Sequence, residues 1–575
     1  MRKNIILLTI VMVAFLTSCY DLDRAPFDKP SSSTFWETED QCKQGVMGVY
    51  ASLKNLDLFG KMFMIDVNSD VATGYDQYEV LQLGTATPRT GFLNGKWQNG
   101  YDAIMRANTA VKNLTDAAID ATKKKQMLGE VKFIRALVYS HLLDYFGGVP
   151  LYDESTNLEL EFDKLMKTRS SEEQTRTFIL KDLIDAANSD LPITWPASDY
   201  GRVTKGAVIA LRGKVNLFAK NYQNAIDDFE EILKPEYGYK LHPNYAELFN
   251  LKGHTSSEMI FAIINLGGIG NAYGMPLCFY AGTRNSFGSC WNNTVPSVTL
   301  ADMYENIDGS KFNWDDLFPG YSTNNAVKER VWRATTNANA TAVATEPAEK
   351  SIILEMYSKR DPRMAATIIA PYTQYLGWYA NVPKMMSFYL VKNQKGDVVN
   401  LTEANGYMRN NKGGWETYFW RKFVPEGNWD GAITDRAHTP VNFPIIRLAD
   451  VYLMLAEAYN EINNIPKSVE NINKVRTRVG MPGVNSGPLF LAANTKEQVF
   501  QRIFQERAVE LAGEGLRDSD LRRWKLSHLK LNRLEVGITG KTMFTRIFNE
   551  NRDYLWPIPA TEIEINPALT QNTGW

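Results

Sequence analysis

Glu506, Glu510 and Glu514 recur at four-residue steps in QERAVELAGEGLRDSDLRRW (505–524) and therefore share one face of a helix. Paired carboxylates are what glycosidic cleavage requires, one protonating the leaving oxygen while the other attacks the sugar or activates water. Arg507, Arg517, Arg522 and Arg523 surround these glutamates in the sequence, and a guanidinium beside a carboxylate keeps it charged. The stretch is therefore read as a structural ion-pair network. Other catalytic patterns fail on spacing: GKT at 540–542 has Glu535 where a phosphate loop needs its leading glycine, and neither G-x-S-x-G nor H-E-x-x-H occurs. The histidines (His141, His242, His254, His438, His528) are not paired at metal-ligand spacing, so neither a metal nor a cofactor is expected. DVNSD (66–70) has the oxygen donors for calcium without EF-hand spacing; it is read as a solvated loop, with bound calcium left open.

Non-covalent chemistry is better supplied. Aromatic residues make up 12% of the chain (27 Tyr, 27 Phe, 13 Trp), and many fall in two tracts poor in helical periodicity. The first, 265–345, opens NLGGIGNAYGMPLCFYAGTRNSFGSCWNNTVPS and holds Tyr273, Phe279, Tyr280, Phe287, Trp291, Trp314 and Trp332. The second, 371–429, holds Tyr375, Trp378, Tyr379, Trp415, Tyr418, Trp420 and Trp429. A pyranose presents an apolar C–H face with hydroxyls at its edge, so a flat ring can stack on it while Arg, Asn, Asp or Gln takes the hydroxyls. Packing beneath a loop competes with that role for each ring taken singly; the collective enrichment carries the argument.

Cys19 ends the run LTSC behind a basic start (Arg2, Lys3) and an apolar stretch from Ile5 to Leu16. Twelve residues are too few for a bilayer core, which takes about 20. The segment reads as a lipoprotein signal peptide: cleavage would remove residues 1–18 and leave Cys19 acylated, a tether to the outer membrane without a spanning helix. Asp21 and Asp23 directly after it resemble a surface-export signal. Only Cys42, Cys278 and Cys290 remain, which disfavours a disulfide framework or zinc, although the last two are close enough in sequence to pair in an oxidising envelope.

The elements that must carry these residues are helical. Met127, Leu128, Val131, Ile134, Val138, Leu142 and Tyr145 form one stripe, stopped by Gly147, Gly148 and Pro150. ALRGKVNLFAKNYQNAIDDFEEIL (210–233) holds two such stripes with a turn near Lys220 and Asn221, its Ala210, Gly213 and Ala225 permitting close approach. LADVYLMLAEAYNEINNIPKSVENINKVRTRVG (448–480) repeats the pattern, and 101–114 with 130–145 supplies another pair. Uneven spacing implies a mostly α scaffold of tetratricopeptide-type pairs with a large irregular insert. Lys and Arg total 63 against 65 Asp and Glu, with no long run of one sign, so a nucleic-acid partner is not expected.

Ordered motifs along nearly the whole chain resemble the SusD/RagB-like outer-membrane nutrient-binding lipoproteins of Bacteroidetes. They are FWETEDQCKQGVMGVYASL (35–53), WQNGYDAIMRANT (97–109), EVKFIRALVYSHLLDYFGGVPL (130–151), RVTKGAVIALRGKVNLF (202–218), DPR (361–363), IIRLADVYLMLAEAYNE (445–461), ERAVELAGEGLRDSDLRRW (506–524) and LWPIPATEIEINPALTQNTGW (555–575). Gly513 departs from the family pattern, which has a larger residue there, and implies looser packing. The resemblance implies a signal peptide (1–18), a lipidated tether (19–34) and one SusD-like body (35–575) whose ligand-facing region lies around 265–430. It implies a surface lipoprotein that captures oligosaccharide or polysaccharide and passes it to a SusC-like TonB-dependent transporter without hydrolysing it. Peptide capture, as in the RagB branch, is the alternative, and a surface glycoside hydrolase a third reading. Ligand contacts in the family come from the stretch before the W-x-x-x-Y helix and from the central insert. Here those regions nominate Tyr75, Tyr78, Arg89, Tyr280, Arg284, Trp291, Asn292 and Trp314, with Trp291 and Tyr280 as stacking platforms and Arg89 and Asn292 as hydroxyl partners.

Overall fold

Thr38 opens the first helix, α1 (Glu39–Ser52), with a reciprocal cap in which its hydroxyl accepts from the Gln41 N–H and the Gln41 side chain accepts from the Thr38 N–H. In the computed structural model the described residues are 35–156, 165–267, 273–409 and 415–575; the signal segment, Cys19 and the tether lie outside them. Two 26-residue helices follow, α2 (Gly91–Asp116) and α3 (Ala121–Phe146), packed side by side. The stripe read from sequence on α3 lies in the core at Met127, Val131, Ile134, Val138, Leu142 and Tyr145, with Leu128 half-buried, but the helix is buried on its other sides as well. The helix ends at Phe146, and the Gly147 N–H closes on the Leu143 carbonyl. Helices α1, α2 and α4 (Glu172–Ala187) all contact α3, and the last contact is pinned by Arg135, which donates to both carboxylate oxygens of Asp182 at 2.7 and 2.8 Å.

The other pairs form where the sequence places them. Helices α5 (Lys205–Phe218) and α6 (Tyr222–Ile232) turn at Lys220, whose φ is 62°. Gly213 lets them meet, since a Cβ there would stand 2.6 Å from the Phe229 ring. Helices α7 (Leu448–Glu461) and α8 (Ile465–Arg478) form the next pair, with the Ser468 hydroxyl donating to the Ala456 carbonyl, and α9 (Lys496–Leu511) packs on both. The chain is thus mostly helical, and the sheet is confined to short ladders. One of these, β1 (Ala72–Gly74) against β2 (Thr294–Pro296), joins two regions more than 200 residues apart, and it positions the site described below.

A buried basic pair crosses the α2–α3 contact. Lys96 Nζ lies 2.9 Å from His141 Nε2 and donates to the Leu58 carbonyl at 2.9 Å. Burial pushes the Lys96 ammonium down to about 7, and burial together with Lys96 pushes the His141 imidazole well below its ordinary 6.5. A histidine depressed in the folded state contributes stability fully present above its unfolded pKa and lost as pH falls below it. The urea-unfolding midpoint should therefore fall as pH drops below about 6.5, and His141→Gln should flatten this part of the acid limb. An unchanged pH profile in the variant would remove His141 as its source.

Candidate functional site

The three glutamates are not open to substrate, and only two of them share a helix: α9 ends at Leu511, Gly513 turns the chain with a φ of +82°, and Glu514 lies in the turn beyond. Glu506, Glu510 and Glu514 are at most 1% exposed. Glu510 meets Arg478 at 2.5 Å, Arg447 at 2.8 Å and Arg363 at 3.0 Å; Glu506 meets Arg363 at 2.5 Å and Arg476 at 3.1 Å. Glu514 meets Arg447 and Lys422, each at 2.7 Å. Burial alone would raise the Glu510 carboxyl, but Arg478, Arg447 and Arg363 outweigh it and hold it well below the carboxylate range. A general acid needs the opposite shift. The ion-pair reading holds, with one correction: the arginines adjacent in sequence serve other partners. Arg507 binds Asp450 and Asp520, Arg517 binds Asp70, Arg522 binds Asp518 and Asp144, and Arg523 binds Glu457 and Asp520.

DVNSD also departs from expectation, because it is buried instead of solvated. Asp66 accepts the N–H groups of Gly513 (2.8 Å), Gly515 (3.1 Å) and Arg517 (3.2 Å), and Asp70 is bidentate with Arg517. This explains Gly513. Its φ of +82° aims the N–H at Asp66, and the Trp420 ring stands 3.5 Å from where a Cβ would be, so the small residue reflects backbone geometry and not loose packing.

The β1–β2 ladder brings the 75–76 segment against the 277–293 segment: the Tyr75 N–H donates to the Asn293 carbonyl at 3.0 Å, and the Tyr75 hydroxyl donates to the Trp291 carbonyl. Trp291 N–H donates to the Phe279 carbonyl at 2.8 Å, and Asn293 N–H to the Tyr280 carbonyl at 2.7 Å, which sets these aromatics side by side. The Trp291 ring rests on Phe279 (centroids 4.9 Å apart, planes 36°), which in turn lies 4.9 Å from the Arg436 guanidinium. Trp291 nevertheless remains 43% exposed. One face is thus backed by protein while the residue stays open to solvent, a ring held in place before any ligand arrives.

Around it, Tyr280 meets Phe279 edge-on at 4.9 Å, and the Lys61 ammonium stands 5.4 Å from the Tyr280 ring. Burial, with Asp76 and Asp57 nearby, raises the Tyr280 hydroxyl above its ordinary range, so it stays a neutral donor. Tyr75 packs against Trp415, and Trp415 against Phe544, extending the aromatic row. Tyr273, 49% exposed, is tied through its carbonyl to Lys54 at 3.2 Å.

The structure thus groups Tyr75, Tyr280 and Trp291, with Arg284 half-buried on the same segment. Three nominations need correction. Tyr78 is 3% exposed and packs on Phe92 at 4.6 Å. Trp314 is 6% exposed, stacks on Tyr321 at 4.6 Å and donates its indole N–H to Asp302 at 2.8 Å. Neither presents a face. Asn292 is fully buried, so its amide does not reach a surface ligand. Arg89 is exposed and pairs at the surface with Glu564 of the C-terminal segment. Lys61 and Asp57 act through Tyr280 and do not face a ligand themselves: Lys61 is buried against the Tyr280 ring, and Asp57 lies half-buried near the Tyr280 hydroxyl.

Comparison with known proteins supplies the family. The model described as the SusD family matches residues 257–575, and one described as starch-binding associating with outer membrane matches 22–217. A SusD-like protein of Formosa agariphila is 25% identical over 98% of this chain and 97% of its own length. Among solved structures, a SusD-like protein of Bacteroides fragilis superposes with a TM-score of 0.74 at 24% identity, covering 96% of this chain and all of that one. A second Bacteroides fragilis structure, a SusD-like carbohydrate-binding protein, gives 0.73 at 24% identity over 93% of this chain and all of its own. With more than half the chain matched by its model and the same mostly helical fold throughout, this protein belongs to the SusD family.

Proposed function

We propose that this protein binds a glycan on the Trp291 platform and delivers it, unhydrolysed, to a SusC-like TonB-dependent transporter while tethered to the outer membrane through acylated Cys19. The observation that carries the binding step is the ring of Trp291: backed by Phe279 and 43% exposed, with Tyr75 bonded to its carbonyl, Tyr280 packed on Phe279, and Asp76 exposed next to Tyr75 in the chain. A sugar face laid on the indole loses its water against apolar surface, while the rim offers donors and acceptors to the hydroxyls. The neutral Tyr280 hydroxyl can do both. Family membership, the starch-binding description of the N-terminal match and the carbohydrate-binding neighbour support the glycan class. The ion-paired burial of Glu506, Glu510 and Glu514 supports capture without cleavage.

The test is calorimetric titration of the chain lacking residues 1–19 against a panel of oligosaccharides and peptides, with each mixture checked by mass spectrometry. Saturable heat with one glycan class and intact ligand is expected. Cleaved sugar would sink the non-catalytic reading, and heat with peptides alone would replace glycan capture by peptide capture.

A further inference from the structure

Two thiols flank the platform residues in the chain, Cys278 next to Phe279 and Cys290 next to Trp291. Cys278 Sγ and Cys290 Sγ are 3.1 Å apart, and both residues are fully buried. Their backbones are fixed independently of one another: the Cys278 N–H donates to the Thr439 hydroxyl at 2.9 Å, and the Cys290 N–H to the Thr283 carbonyl at 3.1 Å. Gly282 closes over the pair, since a Cβ there would lie 3.1 Å from the Cys290 sulfur, and the Phe287 carbonyl stands 3.3 Å from that sulfur. Among the described residues no group of three or more His, Cys, Asp or Glu is placed to hold a metal, so the two thiols do not belong to a larger ligand set. A disulfide bond is about 2.05 Å long, and side-chain rotations of a pair already this close can supply the remaining approach.

We propose that Cys278 and Cys290 are joined by a disulfide in the mature protein, closing the segment 279–289 next to Trp291. The oxidant is a protein disulfide of the cell envelope, acting by thiol–disulfide exchange. One cysteine, as thiolate, attacks the oxidant's disulfide and releases one of its sulfurs; the second then attacks the mixed disulfide, forming the internal S–S bond and releasing the oxidant as a dithiol. Two electrons and two protons pass from the cysteine pair to the oxidant. The segment so closed carries Phe279, Tyr280 and Arg284, and Cys290 immediately precedes Trp291, so the cross-link fixes the ring that backs the platform to the platform itself. The bond does not depend on the glycan reading; only the meaning of the pinned segment rests on it.

Arg284 lies between the two cysteines, so trypsin separates them into the peptides 253–284 and 285–311. Full-length protein from the cell envelope, lysed directly into denaturant with a maleimide present so that buried thiols are exposed to it, should yield these peptides joined, about 2 Da below their summed thiol masses and released by reductant. Cys42 should carry the maleimide. Separate peptides, each alkylated at its cysteine, would overturn the proposal whether or not the protein binds glycan. Brief trypsin treatment of the native protein reads the pinning: reduction should speed cleavage after Arg284 at least about fivefold, by freeing the segment to open locally. Equal rates with the bond present would overturn the pinning.

Discussion

Glu510→Gln should destabilise the protein by about 3–5 kcal/mol, the scale found when one partner of a buried ion pair is removed and its counter-charges are left uncompensated. Glu510 is completely buried and faces three guanidinium groups, those of Arg363, Arg447 and Arg478. The glutamine keeps the volume and one carbonyl oxygen but removes the negative charge, and water cannot reach the cluster to replace it. The readout is the urea-unfolding midpoint, with the soluble yield as a second sign. Arg447→Met should be comparably costly, because Arg447 contacts Glu258, Glu510 and Glu514 together. If Glu510→Gln instead left the midpoint unchanged and abolished turnover of a glycan, the cluster would be catalytic and the network reading would fall.

Trp291→Ala carries the second large effect and should move a different quantity. Loss of the stacked ring should weaken glycan binding about 10–50-fold, the scale of a central aromatic anchor, while the unfolding midpoint changes little because the residue is 43% exposed. Trp314→Phe is the control and should behave the other way. It removes the indole N–H from the half-buried Asp302, at a cost of about 1 kcal/mol, and leaves affinity intact. Equal affinity of Trp291→Ala and the parent protein, with both folded, would move the site away from this ring.

Tyr78 and Trp314 show where the sequence reading of the site stops. Both sit in segments rich in turn residues, and an aromatic in such a segment has the same local signature whether it faces water or fills the space beneath a loop. Phe92, which buries Tyr78, lies on α2, and Tyr321, which buries Trp314, follows it in the same stretch, yet the residue types alone reveal neither contact. Trp291 and Tyr280 have no stronger local signal. What distinguishes Trp291 is the ladder pairing Ala72 with Pro296 and Gly74 with Thr294, together with the loop bonds that set its ring on Phe279 and leave it open.

The helical scaffold was legible because its determinants are local or periodic. A stripe at three- and four-residue steps, a capping threonine or a small residue such as Gly213 acts through neighbours within a turn or two, so the α2–α3, α5–α6 and α7–α8 pairs follow from the sequence by itself, as do the motifs that point to the family. The sequence also showed that Glu506 and Glu510 share a helix face and that arginines must neutralise the glutamates, whereas Glu514 falls in the turn beyond Leu511. Which arginines do so was decided by the tertiary structure alone. Arg363, Arg447, Arg476 and Arg478 reach the cluster from distant segments, while the adjacent Arg507, Arg517, Arg522 and Arg523 turn to other carboxylates. Charge pairing is long in sequence and short in space: every buried charge requires a partner, but chain packing selects which one it meets.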